Sequence, residues 1–328
     1  MSKSTNLIEI KHLTKTFHSR RGFKKHTVCA VNDVSLDILR GETLGVIGES
    51  GCGKSTLGRC LLQLVKPDSG SITYGGETIF DGSGPGRDLS AYRRKMQMIF
   101  QNPAASLDPL MSVQEAIGEA VDIHRICTGA DQRRAYILSL LNQVGLSEQY
   151  MNRLPRALSG GQQQRVGIAR ALAVNPEFVV CDEPLSALDA SIQSQIINML
   201  QDLQQERGLT YLFISHDISV VKHISDRIAI MYLGKIVELC SSEQIIASPL
   251  HPYTMLLLSS IPNSEFNRIF QVAYRETEID SAFVGTHTGC SFADRCPLAA
   301  GLCFCQIPAL RQLTPGHHVA CHLADQFM

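Results

Sequence analysis

One glycine-rich segment has residue types and spacing that point directly to phosphate chemistry. Residues 48–55 read GESGCGKS and match the pattern G-x-x-x-x-G-K-[ST], between an apolar run at 43–47 and a predicted helix at 56–65. Glycines let backbone N–H groups turn toward phosphate oxygens, and the helix N-terminus adds partial positive charge. Lys54 suits the outer phosphates and the Ser55 hydroxyl suits Mg²⁺. Because strand and helix flank it, a phosphate-binding loop is favoured over an ordinary glycine turn. Its residues are Gly48, Glu49, Ser50, Gly51, Cys52, Gly53, Lys54, Ser55 and Thr56.

Two later segments carry groups that fit the same chemistry. The segment LSGGQ ends in Ser159, Gly160, Gly161 and Gln162, and Ser159 is also a good N-cap for a helix. The apolar run 178–181 ends in Asp182 and Glu183. One such carboxylate can hold Mg²⁺ while its neighbour orients or deprotonates water. A capped helix and a solvated turn are the structural alternatives, but the order of these segments after the glycine-rich loop favours catalysis.

Composition narrows the classes of protein that the chain can belong to. Its 328 residues, 44% of them hydrophobic, suggest one large domain with an appendage, or two domains. The balance of 30 Lys and Arg against 31 Asp and Glu excludes a highly charged disordered protein and argues against a nucleic-acid binder. The longest apolar runs are too short to span a bilayer, and the N-terminus lacks the apolar core of a signal peptide. We therefore expect a cytosolic chain that binds no nucleic acid.

The hydrophobic patterns predict the elements that position these segments. Alternation at 7–10, 34–38 and 71–74 predicts antiparallel strands, whereas the basic stretch 18–26 is typical of a solvated loop. Continuous apolar runs at 178–181 and 211–214 predict a buried parallel sheet. Residues 104–172 are mostly helical in pattern, and two further helices are expected, one after Asp189 to about Gln205 and one before Pro262. Residues 228–239 predict a hairpin turning at Gly234 and Lys235.

Six segments in order identify a family. The sequence GESGCGKST is followed by IFQNP, LSGGQQQR, CDEP, SALD and ISHD, and together they resemble the ATP-binding subunit of an ABC transporter over about residues 17–234. The resemblance implies an α/β fold: a P-loop ATPase core with an antiparallel β subdomain and a helical subdomain, plus a small Cys-rich C-terminal extension. We expect the ATP-binding domain at 1–248, its helical subdomain at about 104–172, and the extension at 249–328.

The resemblance also implies roles for single residues in an Mg²⁺-dependent ATPase. Phe17 resembles the aromatic residue that stacks on adenine, although an ordinary core aromatic is equally open. Gln101 resembles the residue that contacts Mg²⁺ and the γ-phosphate, with Asp182 as a further Mg²⁺ ligand. Glu183 resembles the general base and His216 the residue that contacts the γ-phosphate.

In the family, two such chains meet head to tail with ATP between them. The glycine-rich loop of one chain then binds one side of the nucleotide, and the segment at 159–162 of the other chain binds the opposite side, while residues 186–189 cross the interface. Hydrolysis removes the ATP that holds the two chains together, so that the pair switches between a closed and an open state according to the bound nucleotide. Because every site residue is intact, we expect this chain to hydrolyse ATP.

Further segments resemble a subfamily. Residues 92–103 with SLDP at 106–109, and HPYT at 251–254, are similar to the ATPases of oligopeptide, dipeptide and nickel importers. The resemblance implies two membrane permeases, an extracytoplasmic solute-binding protein, a second ATPase subunit (identical or paralogous), and a peripheral position on the cytoplasmic face of the membrane. The solute stays open between peptides and nickel. The alternative is a soluble ABC ATPase of DNA repair or translation, which the single cassette and the lack of heptads disfavour.

Cysteines are concentrated at the C-terminus, where five of the eleven fall in the last 39 residues. Cys290, Cys296, Cys303 and Cys321 resemble the set that holds an iron–sulfur cluster in some members, which implies a [4Fe–4S] cluster. The gaps of five and six residues exceed those of structural zinc sites. Zinc, free thiols and a redox-sensing role are the alternatives, and Cys305 is an additional thiol whose role stays open.

Overall fold

A computed structural model describes residues 5–21, 24–82, 89–186, 188–259 and 288–327. The chain divides into two compact units. The first unit comprises Met1–Ile38, Thr43–Gly86 and Ser215–Met328, and the second comprises Leu39–Glu42 and Arg87–Ile214.

Strands and helices are interspersed along the described part of the chain. The strands are β1 (Asn6–Arg21), β2 (Lys24–Leu39), β3 (Thr43–Ile47), β4 (Ser69–Tyr74), β5 (Glu77–Asp81), β6 (Met96–Ile99), β7 (Phe178–Asp182), β8 (Thr210–Ser215), β9 (Arg227–Tyr232), β10 (Lys235–Ser241), β11 (Arg311–Thr314) and β12 (His317–Val319). The helices are α1 (Lys54–Leu61), α2 (Ser90–Lys95), α3 (Pro103–Ser106), α4 (Val113–Ile123), α5 (Ala130–Gln143), α6 (Gly160–Leu172), α7 (Ala190–Arg207), α8 (Ile218–Ile224), α9 (Ser242–Ala247), α10 (Pro252–Ser259) and α11 (Gly301–Cys305). Short 3₁₀ turns lie at Glu148–Tyr150, Pro155–Ala157, Ala293–Arg295 and Ala324–Phe327.

The first unit contains two groups of strands. An antiparallel sheet has the order β2-β1-β4-β5, and its inward side chains, such as Ile8 paired with Tyr74, form an apolar face. The other strands have the order β11-β12-β10-β9-β3, with β3 parallel to β9 and β10 antiparallel to both β9 and β12. Every residue of β3 is buried, as a strand covered on both faces requires.

The second unit combines parallel strands with most of the described helices. Its strands have the order β8-β7-β6, all parallel, and Phe178 on β7 is level with Met96 on β6 and Thr210 on β8. Helix α6 packs on α3, α4, α5 and β6 through an apolar stripe that includes Val166, Ile168 and Leu172. The fully buried β7 confirms the strand predicted from the apolar run at 178–181.

One sequence-based expectation for the antiparallel sheet is wrong. The basic stretch 18–26 was expected to be a loop, but β1 continues to Arg21 and β2 begins at Lys24. A ring nitrogen of His18 and the Thr27 hydroxyl lie 3.2 Å apart across the pair. The strands continue because each has the other as a backbone hydrogen-bonding neighbour, and pairing of this kind does not depend on apolar alternation. The hairpin at 228–239 turns one residue earlier than predicted, at Leu233 and Gly234.

Candidate functional site

The glycine-rich loop, residues 48–56 (from here the phosphate loop), leaves the end of β3 and leads into α1. Gly51 and Gly53 have φ angles of +80° and +111°, in the left-handed region that favours glycine. A Cβ at Gly53 would lie 1.8 Å from the carbonyl oxygen of Ala30, and one at Gly48 would lie 2.1 Å from that of Met231. Only glycine fits at these two positions, because the backbone itself is in close contact with neighbouring backbone.

Lys54 lies inside the curve of this loop. Its side chain is buried, and its Nζ donates hydrogen bonds to the carbonyl oxygens of Gly48 at 2.6 Å and Glu49 at 2.9 Å. The ammonium group is therefore held at the concave side of the backbone, where the glycines permit close approach. A loop of bare backbone with one enclosed cation fits the phosphates of a nucleotide.

Three other predicted residues of the first unit, Ser55, His216 and Phe17, are at least partly accessible. Ser55 is half-buried in the first turn of α1, and His216 is exposed directly after β8. Phe17, on β1, is 43% exposed, and the Lys15 ammonium lies 5.4 Å from the centre of its ring. The alternative of an ordinary core aromatic is therefore wrong for Phe17. Adenine stacking on this exposed ring stays a prediction.

The second unit brings two predicted catalytic residues into contact. Gln101 donates a side-chain hydrogen bond to Glu183 Oε2 at 2.8 Å. Glu183 follows the fully buried Asp182 at the end of β7, and its backbone N–H donates to the Ile214 carbonyl at 3.0 Å. Its φ of +45° is an uncommon conformation for a residue with a side chain. Such conformations are concentrated at functional sites, where surrounding contacts maintain them.

The segment 158–162 opens α6 with a complete capping box. The Gln162 N–H donates to the Ser159 hydroxyl at 3.3 Å, and the Ser159 N–H donates to the Gln162 side-chain oxygen at 3.0 Å. Ser159 and Gly160 are exposed, and Gly161 is half-buried near Ile192. The N-cap role considered for Ser159 is thus confirmed, and the exposed start of a 13-residue helix carries the partial positive charge that favours an anion.

Three residues that hold the phosphate loop or the start of α10 were not among the functional candidates predicted from the sequence. The Tyr253 hydroxyl accepts the backbone N–H of Glu49, Arg295 pairs with the Glu49 carboxylate, and buried Glu238 holds the start of α10. Glu238 left a signal in the sequence, because it is a lone acidic residue within the apolar strand IVELC at 236–240. Tyr253 lies in the HPYT segment that resembles the importer ATPases, but nothing in the sequence indicates its contact with Glu49 or that of Arg295, because the partners are 204 and 246 residues apart along the chain.

The expectation of a [4Fe–4S] cluster on Cys290, Cys296, Cys303 and Cys321 is not supported by the structure. The residues are partly or fully buried, and burial raises the pKa of Cys296 and of Cys321 to about 11. Within the described ranges, no group of three or more His, Cys, Asp or Glu side chains is arranged to hold a metal ion. A cluster of this type requires four ligands that converge on one centre. The described residues therefore give no support to the predicted cluster.

None of the helices in the described part of the chain combines the length and the apolar character that crossing a membrane requires.

Comparisons with known families match two parts of the chain. Residues 31–186 match the family model described as ABC transporter, and residues 237–303 match that described as oligopeptide/dipeptide transporter, C-terminal region. The chain is 48% identical to a putative oligopeptide transport ATP-binding protein, YkfD of Bacillus subtilis, over 97% of this chain and 95% of that protein. It is 52% identical to the oligopeptide transport ATP-binding protein OppF of the same organism, over 81% and 87% of the two chains.

The chain is also similar to solved structures. The chain is similar to a dimeric, post-hydrolysis state of the ATP-binding cassette MJ0796 bound to ADP and Pi, with a TM-score of 0.64 and 32% identity over 72% of this chain and 98% of that one. It is also similar to cbiO1 of Clostridium perfringens, part of the transporter complex cbiONQ, with a TM-score of 0.62 and 28% identity over 74% and 91% of the two chains.

Proposed function

Because this chain belongs to the ABC transporter family of ATP-binding proteins and is an ATPase with the cassette fold, we propose that it powers the import of oligopeptides. Support comes from the relatives named for oligopeptide transport, one of which matches over 97% of this chain. The match of residues 237–303 to the oligopeptide/dipeptide C-terminal region supports the same class of solute. The nickel solute and the soluble ATPase of DNA repair or translation receive no comparable support.

We assign binding of the nucleotide in the first unit to the phosphate loop and to Phe17. The loop N–H groups and the Lys54 ammonium bind phosphate oxygens, because the glycines keep the curve open to an anion. Phe17 offers an exposed ring face on which adenine can stack. His216 contacts the γ-phosphate in this assignment.

Hydrolysis is assigned to the carboxylates and the amide at the end of β7 and after β6. Glu183 accepts a proton from water as general base, and Gln101 orients the Glu183 carboxylate through their hydrogen bond. Ser55, Asp182 and Gln101 offer the oxygen ligands that Mg²⁺ prefers. Mg²⁺, when bound, neutralises charge that develops on the phosphates.

The opposite side of the nucleotide is assigned to a second ATPase chain, identical or paralogous. Its segment equivalent to 159–162 presents a helix N-terminus and exposed donors to phosphate, as Ser159 and Gly160 do here. Two permeases and an extracytoplasmic solute-binding protein complete the proposed importer, with this chain peripheral on the cytoplasmic face. Dimer closure around ATP and release after hydrolysis provide the motion that the permeases use.

The proposal is tested by exchanging the general base in the assembled transporter. We expect Glu183→Gln to lower ATP turnover and labelled oligopeptide uptake about 100-fold or more, because the water loses its proton acceptor. ATP binding should persist and the dimer should become more stable. The matched control is Glu206→Gln, which neutralises an exposed carboxylate on α7 and should leave both rates unchanged.

Two results would contradict the proposal. Wild-type turnover in Glu183→Gln would remove the general base assignment. Proteoliposomes in which wild-type ATPase activity responds to nickel and not to oligopeptides would exclude the peptide as solute.

A further inference from the structure

Glu49 is the one acidic residue in the phosphate loop. It stands next to Gly48, and its own carbonyl oxygen accepts from Lys54. A carboxylate at this place repels the phosphates that the loop is proposed to bind, unless its charge is compensated. The residues that compensate it come from the C-terminal extension, 249–328.

Arg295 pairs with Glu49 in a bidentate geometry. Its two terminal nitrogens lie 2.9 and 2.8 Å from the two carboxylate oxygens, and its side chain is only 8% exposed. The guanidinium carbon lies 5.7 Å from the ring centre of Tyr232 and 5.8 Å from that of Phe292. This guanidinium is paired with the carboxylate, lies beside two aromatic rings and is largely shielded from water. It therefore compensates the charge of Glu49 and holds the orientation of its side chain.

Tyr253 holds the backbone of the same residue. Its hydroxyl accepts the Glu49 N–H at 2.9 Å, and its ring is fully buried against Tyr232 and Phe292, with ring centres 4.6 and 5.4 Å away. The position of the hydroxyl is therefore set by packing. The Glu49 N–H is thereby committed to the protein, as is the Cys52 N–H, which donates to the Glu49 carbonyl oxygen at 3.3 Å.

The extension is itself tied to the strands beside the loop. The buried Glu238 carboxylate, on β10, accepts hydrogen bonds from the N–H groups of Leu250 and His251 at 2.7 and 3.1 Å and from the Thr254 hydroxyl. His317, on β12, pairs with the same carboxylate at 2.7 Å. Since β10 pairs with β9 and β9 with β3, the start of α10 has a fixed position relative to the strand that leads into the loop.

We propose that the extension is a working part of the nucleotide site, in which Arg295 and Tyr253 act as positioning residues that hold Glu49 and keep its charge from opposing bound phosphate. This inference rests on the proposed role of the loop in binding phosphate. It assigns a part in nucleotide binding to residues of the extension, which act through Glu49.

Titration calorimetry of the full-length chain tests the proposal with MgADP and a non-hydrolysable MgATP analogue. We expect Arg295→Gln to raise the dissociation constant for the analogue about tenfold, and that for MgADP less, because the analogue carries one more negative charge. Arg311→Gln is the matched control. It removes the Arg311–Asp325 ion pair of the same extension and should leave both constants within about twofold of wild type.

A second variant separates charge from folding. If Glu49 opposes phosphate once Arg295 is gone, then Arg295→Gln combined with Glu49→Gln should bind the analogue within about threefold of wild type. Arg295→Lys, which keeps the charge, should lie between wild type and Arg295→Gln. In the assembled transporter, Arg295→Gln should raise the KM for ATP and change kcat less. A purely structural role would predict that the double variant is no better than the single one.

Each outcome decides a separate question. If Arg295→Gln weakens binding no more than Arg311→Gln, or if adding Glu49→Gln restores nothing, the inference is overturned. If Lys54→Ala leaves binding of the analogue unchanged, the proposed function of the loop fails instead. Should Arg295→Gln not fold, Glu49→Gln alone still tests the charge argument, because it must bind the analogue at least as tightly as wild type.

Discussion

The phosphate loop and the start of α6 both present backbone N–H groups at a helix N-terminus, but different contacts hold them. The phosphate loop depends on residues far away in the chain: Ala30 and Met231 limit its glycines, and Tyr253 and Arg295 hold Glu49. The start of α6 is held by its own capping box between Ser159 and Gln162. The phosphate loop is therefore held in place only in the complete fold. The start of α6 is specified by four consecutive residues, and its residues Ser159 and Gly160 stay exposed.

The largest loss of stability is expected from a methyl group added to the phosphate loop, where it would disturb the contacts with distant residues. Gly53→Ala places a Cβ 1.8 Å from the Ala30 carbonyl at a φ of +111°, and we expect a loss of at least about 3 kcal/mol in the free energy of unfolding. Nucleotide binding should be lost as well. Urea denaturation and calorimetry provide the measurements.

Gly51→Ala is the matched control for that substitution. Its φ of +80° is also in the left-handed region, but its Cβ would meet nothing within 4 Å. We expect a cost of about 1 kcal/mol, from backbone strain alone. Equal losses in the two variants would show that distant contacts do not shape the loop.

A second prediction concerns the histidine at the start of α10, which supports the loop through Tyr253. Burial lowers the pKa of His251 to about 4, below its ordinary value of 6.5. The folded state therefore keeps His251 neutral where the unfolded state binds a proton. Stability from this group is complete above pH 6.5 and is lost as the pH falls from 6.5 to about 4, by up to about 3 kcal/mol. Denaturation midpoints measured across this pH range give the loss.

His251→Asn removes the titrating group while retaining an acceptor. The His251 Nδ1 accepts the Tyr253 N–H at 3.0 Å, and an asparagine oxygen can take its place. We expect the variant to lose less stability than wild type between pH 6.5 and 4. Parallel curves for the two proteins would mean that His251 does not contribute to the acid sensitivity of this region.

The smallest effect is expected at the start of α6. Ser159→Ala removes one capping hydrogen bond and should cost about 1 kcal/mol of stability. Nucleotide binding to the single chain should be unchanged, while ATP turnover in the assembled dimer should fall. Ser147→Ala serves as the control, because Ser147 precedes the short turn Glu148–Tyr150 and makes no side-chain capping bond among the described contacts. Weaker nucleotide binding by the single Ser159→Ala chain would contradict the separation of roles.

The same contrast explains what could be predicted from sequence. The run at 178–181, the glycine pattern at 48–55 and the cap at Ser159 are local signals, and the structure contains β7, the loop and α6 at these places. The basic stretch at 18–26 gave the wrong expectation, because strand pairing supplied the order there. The support of Glu49 by Arg295 was missed, because no spacing rule relates residues separated by 246 positions. The catalytic roles of Gln101, Glu183 and His216 stay predictions.

Glu238 sets a limit on how this protein can be shortened. A chain cut after Ser248 would lose Leu250, His251, Thr254 and His317, all of which hydrogen-bond to that carboxylate. An acidic group would then be left without donors inside an apolar strand, at a cost of several kcal/mol. An isolated catalytic core from this protein is therefore expected to be unstable, and chimeras between relatives need to exchange the strand at 235–241 together with the tail that it binds.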